Sequence, residues 1–172
     1  MLVVRNEVEE DHDAVFEVVS AAFGKTDEAN LVNRVRNLPR MISLVAEQNG
    51  AVVGHIMFSP VRLIHDGDPI GGVDIAGLAP VSVLPAHQKA GIGKALIKSG
   101  LLSCIESGFT ACVLLGHPDY YPKFGFLPAQ STFGIDSTYD VPDPVFMAVE
   151  LVKDSLKGKS GTIHYHPTFE GI

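Results

Sequence analysis

The stretch "MISLVAEQNGAVVGHIMFSP", residues 41–60, limits the fold more than any other part of this chain. Two runs rich in apolar and β-branched residues flank the dipeptide Asn49-Gly50. A two-residue hairpin turn needs positive φ at both central positions, which Asn and Gly tolerate best, and it joins antiparallel neighbours. An antiparallel hairpin at this point is incompatible with a purely parallel, doubly wound sheet. A second turn of the same kind is expected in "HDGDP" (65–69), leading into a central strand near 73–84.

The remaining pattern places helices around these strands. "LVVR" (2–5) reads as a first strand, and Asp11 stands where it would cap a helix with the stripe Val15, Val18, Val19, Ala22 and Phe23, stopped by Gly24. Asp27 is the expected cap of a second helix with Leu31, Val35 and Leu38 on one side, ended by Pro39. Pro80 lacks an N–H for a sheet ladder, so the strand "LAPVSVL" (78–84) is expected to break or splay from a neighbour there. A helix over about 91–106 carries Ile92, Ala95, Leu96, Leu102 and Ile105 as its apolar side, with Gly108 ending it. Then follow a short buried strand at 110–116, a helical turn at 118–126 closed by Gly125, and strands near 145–151 and 161–167. Hairpins combined with one strand–helix–strand crossover define an α/β fold in the mixed-sheet sense.

At 172 residues, the length suits one domain with a substantial core, and we expect a single domain over 1–172. Its core would span 1–150, and 151–172 would form a C-terminal extension completing the sheet. The N-terminus turns acidic within seven residues, unlike a secretory signal, and no apolar run is long enough to span a bilayer. Cys104 and Cys112 sit in apolar segments without CxxC or zinc spacing, which fits buried free thiols in a reducing cytoplasm. The formal charge of −7, from 13 basic and 20 acidic residues, argues against a nucleic-acid surface and mildly favours cationic small molecules. His164 and His166 would share a strand face, but with no third ligand within reach they do not argue for a metal. The acidic patch "EVEEDHD" (7–13) reads as the solvated start of the first helix.

One stretch runs against that electrostatic logic. In "HQKAGIGKAL" (87–96), Lys89 and Lys94 flank a glycine turn at a helix start, and no Asp or Glu occurs from Ala86 to Leu102. A helix N-terminus carries about half a positive charge and unpaired N–H groups, so lysines there cost roughly 0.3–1 kcal/mol each unless an anion is bound. The missing negative charge then belongs to a ligand. A P-loop would need Ser or Thr after Gly93-Lys94 and a glycine in place of Gln88. A dinucleotide fingerprint would need glycine in place of Leu96. Both fail.

Gln88-x-x-Gly91-x-Gly93 does match the R/Q-x-x-G-x-G/A signature of the GCN5-related N-acetyltransferase (GNAT) superfamily, and "YPKFGF" (121–126) is similar to that family's Y-x-x-x-G-F element. "AFGKTDEANLVNRVR" (22–36), "GHPDYYPKFGF" (116–126) and "GTIHYHPTF" (161–169) further resemble the YhbS-like bacterial acetyltransferases. The resemblance implies a GNAT-like mixed, mostly antiparallel central sheet flanked by helices, with a splayed central strand pair. It implies acetyl-CoA as co-substrate, with its pyrophosphate on Gln88, Lys89, Ala90, Gly91, Ile92, Gly93 and Lys94. By position, main-chain groups of Val81, Ser82 and Val83 would serve the pantetheine arm and the oxyanion, and Tyr121 matches the family's general acid. The adjacent Tyr120 is its rival, and packing alone would also account for paired tyrosines.

The implied reaction is acetyl transfer from the thioester to a primary amine of a small molecule or peptide. Deprotonating such an amine at pH 7 costs about 4–5 kcal/mol from a reference pKa near ~10.4. The family has no fixed general base; Asp74, Glu28 and His117 are candidates. The alternative function is a non-catalytic acyl-CoA-binding sensor. Neither nucleic acid nor membrane is implied as a partner, the expected compartment is the cytoplasm, and homodimerisation through a C-terminal strand is compatible with the resemblance.

Overall fold

The computed structural model describes residues 1–169; the last three positions of the expected C-terminal extension lie outside the described residues. In chain order the elements are β1 (Leu2–Asn6), α1 (His12–Phe23), α2 (Asp27–Val35), β2 (Ile42–Gln48), β3 (Ala51–His65) and β4 (Asp68–Pro69). There follow β5 (Ile75–Val83), α3 (Ile92–Glu106), β6 (Ala111–Leu115), β7 (Leu127–Pro128), α4 (Ala129–Phe133), β8 (Ile135–Ser137), β9 (Phe146–Glu150) and β10 (Gly161–His164). The architecture is mixed α/β with a mostly antiparallel sheet, as expected. By the density of internal contacts the chain forms two compact units, and β3, β5 and α3 each run through both.

The first unit holds Met1–Ser59, Leu78–Ser103 and the chain from Pro167. Asn49 and Gly50 adopt φ of 52° and 83°, and the hairpin closes with Gln48 opposite Ala51. β1 pairs antiparallel with β2 on the far side of that hairpin. α1 buries Val15, Val18 and Val19, while α2 buries Ala29, Leu31, Val32 and Val35. Asp11 does not cap α1 with its side chain; its carboxylate takes two hydrogen bonds from Arg5, at 2.7 and 3.0 Å, and one from the Val8 N–H at 2.8 Å. Glu7 is likewise buried and paired with Arg36. The acidic patch is thus partly internal. A one-residue reading of helix starts missed it because both cationic partners are set by tertiary contacts.

The buried side of α3 is also corrected. Leu102 and Ile105 are 61% and 44% exposed, and the helix turns Ile92, Leu96, Gly100 and Cys104 inward at a spacing of four. Gly100 decides this face: any side chain there would overlap the Phe58 ring.

The second unit holds Pro60–Gly77 and Cys104–His166. The second hairpin closes as expected through Asp66 and Gly67, with φ of 51° and 83°. β6 pairs antiparallel with β9, and β9 with β7. β10 pairs antiparallel with β3 and parallel with β8. β5 and β6 are parallel over three registered pairs, from Ile75↔Ala111 to Gly77↔Val113. Registration stops there, before either strand ends. β5 itself is unbroken through Pro80, whose peptide bond to Ala79 is cis. The registered pairing with β6 thus ends at Gly77, three residues before Pro80, where the sequence led us to expect the break.

Candidate active site

In the first unit, β5 ends at Val83 and a short 3₁₀ turn, Pro85–His87, carries the chain to the start of α3 at Ile92. The Gln88 amide donates to the Val83 carbonyl at 3.1 Å, tying the turn to the strand it leaves. Lys89 and Gly91 both lie in the left-handed region, at φ 63° and 85°. A lysine there costs roughly 1–2 kcal/mol relative to glycine. Nothing lies within 4 Å of where a Gly91 side chain would begin, so backbone conformation, not crowding, selects glycine. Gln88, Lys89, Ala90, Gly91 and Lys94 are exposed, Gly93 is half-buried, and Ile92 is buried as the anchor of the helix start. With no carboxylate in its first turn, α3 presents a bare helix start and the exposed Lys94, and Lys89 stands exposed in the turn before it.

Ser82 bears on whether an acyl-CoA arm fits. It is 2% exposed, and among the described residues its hydroxyl has no hydrogen-bond partner. Buried hydroxyls are normally satisfied, and leaving one bare costs on the order of 1–3 kcal/mol. Val81 and Val83 on either side are half-buried. The residues therefore fit an elongated ligand with polar groups along β5 and an anionic end at the 88–94 turn. Nothing in the sequence pattern singled out the Ser82 side chain, since the reading there rested on main-chain groups.

Also in the first unit, Glu28 on α2 has a mostly buried side chain, 15% exposed, with Oε2 unpartnered and Oε1 3.6 Å from the Lys25 ammonium.

In the second unit, Tyr121 opens the 3₁₀ turn Tyr121–Phe124, which Gly125 terminates at φ 93°. Its ring meets Tyr120 edge-on at 5.1 Å and Phe126 at 6.0 Å between centroids. Gly116, immediately after β6, lies directly under the ring, and any side chain at that position would overlap it. In the sequence, 116–126 stood out only through its resemblance, and nothing there signalled that Gly116 seats the tyrosine. Burial, reinforced by Tyr120, pushes the Tyr121 phenol up to about 12. Its hydroxyl has no hydrogen-bond partner among the described residues. Tyr120 is also raised by burial, and the Lys123 ammonium lies 5.3 Å from its ring centre.

The other two base candidates differ in setting. His117 is 73% exposed, its Nδ1 accepting the Asp119 N–H at 3.4 Å. Asp74 precedes β5, where its carbonyl accepts the Thr110 N–H at 2.7 Å and its N–H donates to the Thr110 hydroxyl at 3.0 Å.

A glycine turn and a helix start free of acidic residues, placed after a central strand, mark a class of acyl-CoA-dependent transferases when joined to a downstream Y-x-x-x-G-F element. A family model described as acetyltransferase (GNAT) domain matches residues 3–129, and the chain belongs to that family. Within it the chain is YhbS-like: it is 30% identical over 170 residues to the uncharacterized N-acetyltransferase YhbS of Escherichia coli K12, covering 98% of both chains. The crystal structure of Escherichia coli YhbS in complex with CoA superposes with a TM-score of 0.88 at 29% identity, over 98% of this chain and 91% of that one. A GNAT family acetyltransferase from Brucella melitensis in complex with acetyl-CoA gives a TM-score of 0.77 at 34% identity, over 99% of each chain.

Proposed function

We propose that this protein transfers an acetyl group from acetyl-CoA directly to a primary amine, with residues 1–172 working as one acetyltransferase domain. The observation that carries this reading is the 88–94 turn, where left-handed backbone at Lys89 and Gly91, a bare helix start and two lysines await an anion. The CoA and acetyl-CoA complexes of the Escherichia coli and Brucella relatives support it. Acetyl-CoA supplies an acyl group activated as a thioester. In the transfer a C–N bond forms and the C–S bond breaks; the amine loses a proton and the departing sulfur gains one.

Tyr121 is the donor we assign to that sulfur. Its raised pKa changes the role expected of it. A phenol at about 12 facing a thiol near ~8.5 would transfer its proton uphill by about 5 kcal/mol. It therefore acts by holding a hydrogen bond to the developing thiolate, and water delivers the proton. Among the base candidates, Glu28 is favoured: a carboxylate oxygen out of water and without a partner suits an ammonium group.

Tyr121→Phe tests the assignment. Acetyl-CoA affinity is measured by calorimetry, and turnover by thiol release with spermidine, lysine, glucosamine and a short peptide as acceptors. We expect turnover to fall at least tenfold, with acetyl-CoA affinity within threefold of wild type. Unchanged turnover would remove Tyr121 from the mechanism. Binding by the wild type without turnover on any amine would favour a sensor.

A further inference from the structure

Two buried polar side chains of the first unit are each left one bond short. His55 on β3 is fully buried, and Ser82 on β5 is nearly so. His55 Nδ1 and Ser82 Oγ have no hydrogen-bond partner among the described residues. Bare atoms of this kind are rare in native folds and costly, so two of them on neighbouring strands call for an account.

Their positions can be worked out from the local contacts. The Leu84 N–H donates to the Val53 carbonyl at 2.9 Å, and the Ser82 carbonyl lies 3.2 Å from where a Gly54 side chain would begin. Stepping back along β5 from Leu84 therefore means stepping forward along β3 from Val53, and the strands run in opposite directions here. Two residues on from the Leu84–Val53 bond, Ser82 comes opposite His55. Facing residues of an antiparallel pair project to the same side with Cβ atoms about 4.5–5.5 Å apart, a gap that a serine hydroxyl and an imidazole nitrogen span. Gly54, next to His55, faces the other way, against Leu96 and Ile92 of α3.

The two bare atoms are also chemically complementary. The Glu7 carboxylate accepts the Ser43 hydroxyl proton at 3.1 Å, and Ser43 Oγ lies 2.8 Å from His55 Nε2. Nε2 therefore carries the imidazole proton, and Nδ1 is a lone pair with nothing to accept. Ser82 holds a proton with nowhere to give it.

We propose that His55 and Ser82 are positioning residues: the Ser82 hydroxyl donates to His55 Nδ1 and carries the Glu7–Ser43–His55 chain into the end of β5 from which the glycine turn hangs. That end is already held at two points, since Leu84 is bonded to Val53 and the Val83 carbonyl takes the Gln88 amide at 3.1 Å. A third tie fixes residues 82–84 against β3, and with them the start of the 88–94 turn. Ser82 Oγ keeps its lone pairs, so the tie leaves intact what it offers a polar ligand along β5. The consequence for acetyl-CoA rests on the function proposed above; the bond between the two side chains does not.

The test joins two measurements on the full chain. An imidazole nitrogen whose lone pair accepts a hydrogen bond resonates apart from one whose lone pair is bare, and His55→Phe identifies the signal in the nitrogen-15 spectrum of the histidine side chains. We expect Nδ1 of wild type at the bonded position, Ser82→Ala to move it to the bare one, and Ser82→Thr to restore it. By calorimetry, Ser82→Ala should weaken acetyl-CoA binding about fivefold, the scale of one hydrogen bond, and Ser82→Thr should recover it. An Nδ1 signal at the bare position in wild type, or unmoved in Ser82→Ala, overturns the bond. A moved signal with unchanged affinity overturns the positioning role. Absence of acetyl-CoA binding by the wild type would instead overturn the acetyltransferase reading, while the nitrogen-15 spectrum still decides the bond.

Discussion

Two charged regions of the first unit are built on opposite rules. At 85–94, cations and helix N–H groups stand exposed with no carboxylate from Ala86 to Leu102. In the interior, Glu7, Arg36, Ser43 and His55 form a closed chain of partners. Arg36 grips Glu7 through Nε at 2.8 Å and Nη2 at 3.0 Å, while its Nη1 donates to Asn33 at 2.6 Å. The Ser43 hydroxyl donates to the same carboxylate at 3.1 Å and lies 2.8 Å from His55 Nε2. Because the single Ser43 proton is directed to Glu7, His55 donates through Nε2–H, and its Nδ1 is left bare among the described residues. Charge is matched within this network and left unmatched at the turn to which the proposed function assigns the anion.

The largest effect expected from breaking this contrast is on the matched side. Arg36→Ala leaves the Glu7 carboxylate, 3% exposed, without its counter-ion. Removing one member of a buried pair costs about 3–5 kcal/mol, whereas replacing both by apolar residues costs far less. Urea unfolding should show that loss in Arg36→Ala and a smaller one in Glu7→Leu/Arg36→Leu. Acetyl-CoA affinity of the folded Arg36→Ala protein should stay within threefold of wild type. A tenfold loss would mean that the network serves the ligand site and not the scaffold alone.

Next in size is the response to acid. Burial pulls the His55 pKa down to about 4; Glu7 opposes that shift and Arg36 adds to it. The folded protein thus holds the imidazole neutral, while the unfolded chain protonates it near 6.5. The stabilisation is complete above about pH 6.5 and is lost as pH falls toward 4, by about 3 kcal/mol in total. Glu7 acts in a lower window. Burial would raise its pKa, but the Arg36 and Ser43 hydrogen bonds outweigh that and leave it below the usual carboxylate value, so its contribution disappears only under stronger acid. Unfolding free energies measured from pH 7.5 to 4 should therefore slope in wild type and flatten in His55→Phe. Equal slopes in both would show that His55 is protonated, or hydrated, in the native state.

The same contrast explains what could be read along the chain and what could not. Asn49-Gly50, Asp66-Gly67 and Gly125 were legible because a turn is decided by the backbone preferences of two or three neighbours. The glycine turn before α3 was legible for the same reason: Gln88, Gly91 and Gly93 lie within six residues, and the absence of carboxylates is itself local. The matched network was not. Its links span 29 residues from Glu7 to Arg36 and 36 from Glu7 to Ser43, so the acidic patch looked solvated until its partners were folded against it. The α3 face was misread on similar grounds, because Gly100 gives no hydrophobic signal although the fit of Phe58 depends on it. Gly116 under Tyr121 and Gly77 under Tyr165 are two more glycines whose importance lies in a ring arriving from elsewhere.

The smallest effect is the most diagnostic, because its two halves have opposite signs. Lys94 is the third residue of α3, exposed, in a helix start with no acidic residue. Lys94→Gln keeps helix propensity nearly constant and removes one positive charge from the positive end of the dipole. Stability should rise by about 0.3–1 kcal/mol, read as a small increase in the urea midpoint with unchanged slope. Acetyl-CoA affinity should fall three- to tenfold at low ionic strength, and the difference should shrink in 0.5 M salt as the remaining charges are screened. A solvated surface lysine would give the stability gain and no affinity loss. A lysine needed only for the fold would lose both. Gain of stability with loss of affinity is what is expected where a chain tolerates local electrostatic cost to keep a place for an anion.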